Sequence, residues 1–287
     1  MNTASLPEDG QLSIGPVSLP AGKKIRAKTW STRREGGRLV PVGFGEQPVA
    51  WVTREAVPDA GRVWAALSDA QQKTGLIPFL LGTLRREPSR PWDSEEFHSP
   101  LDPRELDQVE AADVLQKRWD GETHEYLEPG ETEDPEFLQH LAMTLAPFSR
   151  DHFPGLATGE DTVMGPEQLD EILGSLGARR LGLVPADRPA DVLPLLGWTP
   201  SDQSSALPVA AVLRSWEDRF GARLLEIGFA EIRLLVQRPP RSLEAVQQVA
   251  AEHWAFADEY DNIGQAPVSD IAAALLNQPA LWQFWWD

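Results

Sequence analysis

The sequence predicts an α+β fold: a layered, mixed β-sheet with packed helices, its C-terminal aromatic strand central, and an N-terminal half that makes a second α+β unit. Three observations predict it. From residue 179 onward, strand-period and helix-period runs follow in the order β-α-α-β-β-α-α-β, which suits helices packed on one sheet. Residues 11–84 hold short β-type runs, punctuated by Gly and Pro, around a single helix. Ala280–Asp287 carries Trp282, Phe284, Trp285 and Trp286. At strand period Trp282, Phe284 and Trp286 point one way, and Leu281, Gln283 and Trp285 the other, so both faces are mostly apolar. That pattern suits a strand covered on both sides.

In chain order, residues 1–10 read as a disordered tail, and Gln11–Ile14, Lys23–Trp30, Arg38–Phe44 and Val49–Glu55 as strands. Asp59 caps a helix to Lys73, stopped by Thr74-Gly75. Leu76–Leu84 is a buried strand in which Pro78 limits ladder pairing. Asp102, followed by Pro103, caps a helix reaching Trp119. Residues 120–135 have the composition of a flexible acidic loop. Short helices follow at Pro135–Leu145 and Gln168–Leu176, the second stopped by Gly177.

The C-terminal part reads as a strand at Arg180–Val184 and a short helix at Pro189–Leu196. Ala206–Phe220 is an amphipathic helix with Val209, Leu213, Trp216 and Phe220 on one stripe. Arg223–Ile227 and Glu231–Val236 make a hairpin, and Ser242 caps a helix to Ala257. Val268–Leu276 is the last helix before the aromatic strand. The chain divides near Gly177 into an N-terminal region, 11–177, with an acidic segment at 87–136, and a C-terminal domain, 178–287. Whether the two share one sheet is left open.

Four stretches carry a family resemblance: Thr74–Gly82 (TGLIPFLLG), Pro91–Ser94 (PWDS), Leu213–Ala222 (LRSWEDRFGA) and the ending Phe284-Trp285-Trp286-Asp287. Together they resemble a bacterial domain-of-unknown-function family, number 4253, whose named domain corresponds to about residues 179–287. The resemblance implies no chemistry and carries over no catalytic residue.

Composition narrows the function classes. Eleven Trp and 41% apolar residues mark a globular chain, and no run approaches the ~18 apolar residues of a membrane span. With no cysteine, disulfides, thiolate catalysis and cysteine-bound metals are excluded. Met1–Gly10 lacks a basic patch followed by an apolar stretch, so the expected location is cytoplasmic. The net charge of −18 is concentrated in residues 87–136, with 17 acidic and 4 basic side chains, beside residues 1–86, with 12 basic and 7 acidic. Three roles fit this block: a solvated surface, an acidic face for a basic partner, or internal pairing with Lys23, Lys24, Arg26, Lys28, Arg33 and Arg34. Without a basic stripe interleaved with aromatics, nucleic acid is not an expected partner.

No motif assigns a reaction. Gly43-Phe44-Gly45 lacks the third glycine of a dinucleotide loop, and Leu173–Gly177 lacks the spacing of a nucleophile elbow. His124-Glu125-Tyr126-Leu127-Glu128 echoes a helical zinc motif but sits in an acidic loop, so no metal and no cofactor is expected. His253, beside Trp254 and Glu252, reads as a packed imidazole, or else as a base working with Asp258, Glu259 or Asp261. Arg214 and Asp218, four apart, form a surface pair on their helix, unless Arg214, Asp218, His253 and Asp287 line one cleft. The candidate cleft or interaction residues are therefore Arg214, Trp216, Asp218, His253, Trp254, Trp282 and Asp287, with no catalytic residue assigned. The leading expectation is a non-enzymatic protein-binding module of immunity or antitoxin type with an acidic surface. The alternative is a hydrolase with a carboxylate and His253 in a Trp-lined cleft.

Overall fold

Strands from both halves of the chain join in one eight-stranded mixed sheet. The computed structural model describes residues 4–35, 38–124, 134–199, 205–256 and 266–286, with the backbone alone at 29–35 and 38–44. The strands are β1 (Gly10–Ile14), β2 (Val17–Glu35), β3 (Arg38–Thr53), β4 (Leu76–Leu81), β5 (Leu181–Pro185), β6 (Ala222–Ile227), β7 (Glu231–Val236) and β8 (Leu281–Trp285). Their spatial order is β1-β2-β3-β5-β4-β6-β7-β8. Among the described residues only β4 and β6 run parallel; every other pairing is antiparallel.

The helices are α1 (Ala60–Asp69), α2 (Gln71–Thr74), α3 (Ala111–Thr123), α4 (Pro135–Leu145), α5 (Pro166–Ser175), α6 (Val192–Leu196), α7 (Ala206–Phe220), α8 (Leu243–Phe256) and α9 (Val268–Asn277). They make two layers on the sheet, because the strands alternate cleanly between faces. Ile77, Phe79, Ile232, Leu234, Trp282 and Phe284 join a core with α3, α4, α7, α8 and α9. On the other face Leu80, Leu181, Leu183 and Leu225 join a core with α1 and α5.

Pro78 lies inside the sheet without costing a ladder bond. Leu81 N–H donates to Arg180 and Ala186 N–H to Gly75, which places the odd-numbered positions of β4 in register for bonding to β5. The nitrogen of Pro78 therefore points toward β6, whose pairing begins only at Leu80. The runs 38–44 and 49–55 are one strand, β3, paired with β2 along their length. The helix expected from Asp102 splits into a 3-10 turn at Pro103–Gln108, capped by Asp102, and α3. Residues 4–9, read from composition as part of a disordered tail, run against the body. There Glu8 accepts from Trp51 Nε1, and Asp9 from the Lys24 N–H.

One expectation is corrected. The aromatic strand is not central: β8 pairs with β7 alone and forms a sheet edge. Only one of its faces is covered. Trp282, Phe284 and Trp286 are buried, Leu281 is half-buried, and Gln283 and Trp285 are exposed. Gln283, in the middle of the open face, is the residue that a strand covered on both sides would not carry.

A chain ending at Gln283 loses Phe284 and Trp286 and should give no cooperative thermal transition by near-ultraviolet circular dichroism. Trp285→Ala, removing the exposed ring, should keep its stability within about 0.5 kcal/mol of the intact protein.

Candidate functional site

The expected site residues lie where α7, α8 and β8 meet. Helix α7 starts at Ser205, whose hydroxyl accepts from the Leu207 N–H, and stops at Gly221 in the left-handed region. Its buried stripe includes Val209, Leu213, Trp216 and Phe220. Ser242 accepts from the Ala245 N–H to begin α8, which turns Glu252 and His253 inward.

Glu252 is fully buried (0% exposed). Its Oε1 accepts from the Ala157 N–H and Arg219 Nη1, both at 2.7 Å. Its Oε2 accepts from Trp216 Nε1 at 2.7 Å and Arg219 Nη2 at 2.6 Å. Arg219 also donates to Ala157 O and Ser215 Oγ. A buried charge held this way has both lone-pair sets used. It has no free acceptor with which to take a proton from a substrate, so this pair is a structural tie.

His253 lies among rings. Its centroid is 4.6 Å from that of Trp282, 4.8 Å from Phe284 and 5.1 Å from Trp216. Nε2 has no hydrogen-bond partner among the described residues. Burial away from water pushes its pKa down to about 3, so the ring is neutral at physiological pH. A general base needs a pKa near the working pH and a path to the proton it removes; His253 is shut in by Trp216, Trp282 and Phe284. Asp258, Glu259, Asp261 and Asp287 lie outside the described residues, as does most of the 124–128 motif.

The structure brings Trp216, His253 and Trp282 together, while Arg214 and Asp218 bond elsewhere. Arg214 donates to Asp191 at 2.7 and 2.9 Å and to Asp107 at 3.0 Å. Asp218 accepts from Arg188 at 2.5 Å. The i, i+4 pair expected along α7 is thus replaced by two longer-range pairs, because Asp191 and Arg188 sit beside α6 on the same side. Trp254 packs on Trp119 at 5.0 Å, and Trp282 Nε1 donates to Pro279 O. Arg219 and Glu252 were not singled out from sequence. A usable signal existed: Arg219 is three residues from Trp216, so both can reach one point on the next helix.

A second polar group lies on the opposite sheet face, where β4 and β6 pair in parallel. Gly82 and Gly228 approach there so closely that a Cβ on Gly82 would sit 2.9 Å from the Gly228 Cα. Glu226 is buried beside Arg233, at 3.4 Å. Burial raises its pKa, with Glu231 adding to the effect and Arg233 and Arg179 opposing it. Arg233 Nε is 3.2 Å from Glu231 Oε1 without hydrogen-bond geometry, and neither atom has a hydrogen-bond partner among the described residues. A cavity of about 590 Å³ opens nearby in sequence, at Leu84–Glu87. Among the described residues, no group of three His, Asp or Glu could hold a metal ion, and no helix is long and apolar enough to cross a membrane.

Residues 180–287 match the model of a protein family. It is the domain of unknown function DUF4253. The match bears out the resemblance carried by the Trp216–Gly221 helix end and the Phe-Trp-Trp ending. It spans β5 to β8, so Arg219, Glu252, His253 and the enclosing rings all lie within the DUF4253 span. Ala157, which completes the shell of Glu252, lies outside it. No curated protein and no solved structure matches the chain significantly.

Two outcomes follow. Glu252→Ala leaves Arg219 enclosed without a counter-charge and should cost about 3–5 kcal/mol in chemical denaturation. Trp216→Phe removes one N–H donor and should cost less, about 1–3 kcal/mol. For His253, the unfolded state takes up a proton near pH 6.5 and the folded state only near pH 3. Between those values the unfolded state holds more protons, so stability falls on acidification by about 1.4 kcal/mol per pH unit. The melting temperature of His253→Phe should therefore fall less between pH 6 and pH 4 than that of the parent protein.

Proposed function

We propose that this protein is a non-enzymatic protein-binding module that meets a basic partner through its acidic segment. One observation carries the reading: Glu105, Glu110 and Asp113 are exposed, and no described residue pairs with them. Several arginines elsewhere are engaged. Arg62 is paired with Asp170, Arg90 with Glu96, Arg180 with Asp93, Arg188 with Asp218, Arg214 with Asp191 and Arg219 with Glu252. These three acids leave unneutralised negative charge on the segment from the 3-10 turn into α3.

Internal pairing accounts for part of the block, since Asp93 meets Lys23 and Asp107 meets Arg214. The unpaired acids remain as a net negative surface, with Arg104 and Lys117 among them, and net negative charge speeds encounter with an oppositely charged protein and makes binding salt-sensitive. The hydrolase alternative draws no support from His253, which is neutral and enclosed. An immunity or antitoxin role is one way for such a module to act, and cytoplasmic residence fits it.

The triple variant Glu105→Lys, Glu110→Lys, Asp113→Lys should bind a partner recovered at unit stoichiometry from native lysate at least tenfold more weakly. The loss should come mainly in the association rate and shrink at high salt, read by surface plasmon resonance. Recovery of no stoichiometric protein, or binding unchanged by the charge reversal, would refute the proposal.

A further inference from the structure

We infer that a second copy of this chain adds across the β8 edge, in antiparallel register with a two-fold axis through Gln283. The inference stands on a different surface from the acidic segment and is independent of it.

The backbone sets which groups are free. Val236 N–H donates to Ala280, and Trp286 N–H donates to Ala230. With β7 and β8 antiparallel, these bonds fix the even-numbered residues of β8 as those bonded to β7. Leu281, Gln283 and Trp285 therefore direct their N–H and C=O groups outward, to an edge unpaired among the described residues. A row of such groups is a template for another strand.

Two properties of the row select a second copy. The outward residues are symmetric about Gln283, so antiparallel pairing matches Gln283 with Gln283 of the other copy and Leu281 with Trp285. All are then hydrogen-bonded pairs, and every outward group finds a partner. The same pairing lays the exposed Trp285 ring (39% exposed) against the half-buried Leu281. In addition, residues 281–286 carry no charge and no proline, the usual devices that keep edges apart; Pro279 and Asp287 flank the row and lie outside its three outward residues. At the other edge of the sheet, β1 is preceded by Pro7, Glu8 and Asp9. The nearest charge in line with Gln283 is Arg233, on β7. Its symmetry mate would stand three strand spacings away, about 14 Å, beyond the screening length of about 8 Å. A strongly basic peptide would find no acidic side chain on β8 itself.

The chain has no cysteine, so single cysteines report the register. In the symmetric pair the Cα atoms of residue 283 lie about 5.5 Å apart, within disulfide reach, whereas those of residue 281 lie about 14 Å apart. Gln283→Cys should oxidise to a covalent dimer at least tenfold faster than Leu281→Cys. Sedimentation velocity of the unmodified chain should show a concentration-dependent dimer. Gln283→Pro, which removes an outward N–H and no bond to β7, should shift it to monomer with its melting temperature retained. A parent protein monomeric at every concentration, a Leu281→Cys variant that cross-links as fast as Gln283→Cys, or an edge filled only by a different protein would each overturn the inference. So would a Gln283→Pro variant that dimerises like the parent.

Discussion

The buried carboxylate of Glu252 is the point on which this architecture turns. Taking an ionised carboxylate out of water costs several kcal/mol, and it is held only where the lost hydration is replaced. Here Arg219 replaces the charge, and Trp216 Nε1 and the Ala157 N–H supply the remaining donors. Those donors come from α7 and from the segment before α5, while Glu252 itself is on α8. The carboxylate can be satisfied only when all three are in place. Its neighbours inherit that order: Trp216 is fixed by its N–H and so presents its face to Phe284 at 5.2 Å and its edge contacts to Trp282 and Phe256. The aromatic strand is thus positioned by helices that a single ion pair has already oriented.

The family-matched span draws further contacts from outside itself. β5 enters the sheet between β3 and β4, and Thr53 Oγ1 accepts from the Leu181 N–H. The chain at 155–160 crosses the end of α7 so closely that a Cβ on Gly159 would sit 2.7 Å from Arg219 O. Gly197 ends α6 at φ +68°, and there the loop after β4 docks, with His98 N–H donating to Gly197 O. A side chain at 197 would both strain that backbone and meet His98 O at 1.9 Å, so the contact requires glycine.

Much of the fold was legible because the local signals were strong. Helix α7 ends at Phe220 as the Phe-Gly junction indicates, and α4 and β7 begin and end where the caps and alternation place them. The edge position of β8 was not legible. Period-two alternation shows which residues share a face but not how many strands lie beyond, and Leu281 with Trp285 imitates a second buried face. The partners of Arg214 and Asp218 were hidden for a different reason. Helical spacing shows which residues could meet along α7, while Asp191 and Arg188 arrive through the turn before α6, a tertiary contact that spacing does not encode. The enclosure of His253 was half visible: its place on the inner stripe could be read, but the three rings around it come from two other elements.

The distribution of charge closes the argument between the two proposed surfaces. A chain with net charge −18 repels its own copies, and such repulsion opposes self-association unless the contact lies away from the excess. Residues 281–286 are uncharged, and the unpaired Glu105, Glu110 and Asp113 belong to the 3-10 turn and the start of α3. That turn packs against α7, on the side of the sheet that carries α3, α4, α7, α8 and α9. The outward face of β8, with Leu281, Gln283 and Trp285, belongs to the opposite side, where Leu281 joins the α1 and α5 core. A copy added at the edge extends the sheet in its own plane and leaves the acidic segment uncovered. The two surfaces can therefore be occupied together, and dimerisation would present the acidic segment twice on one particle.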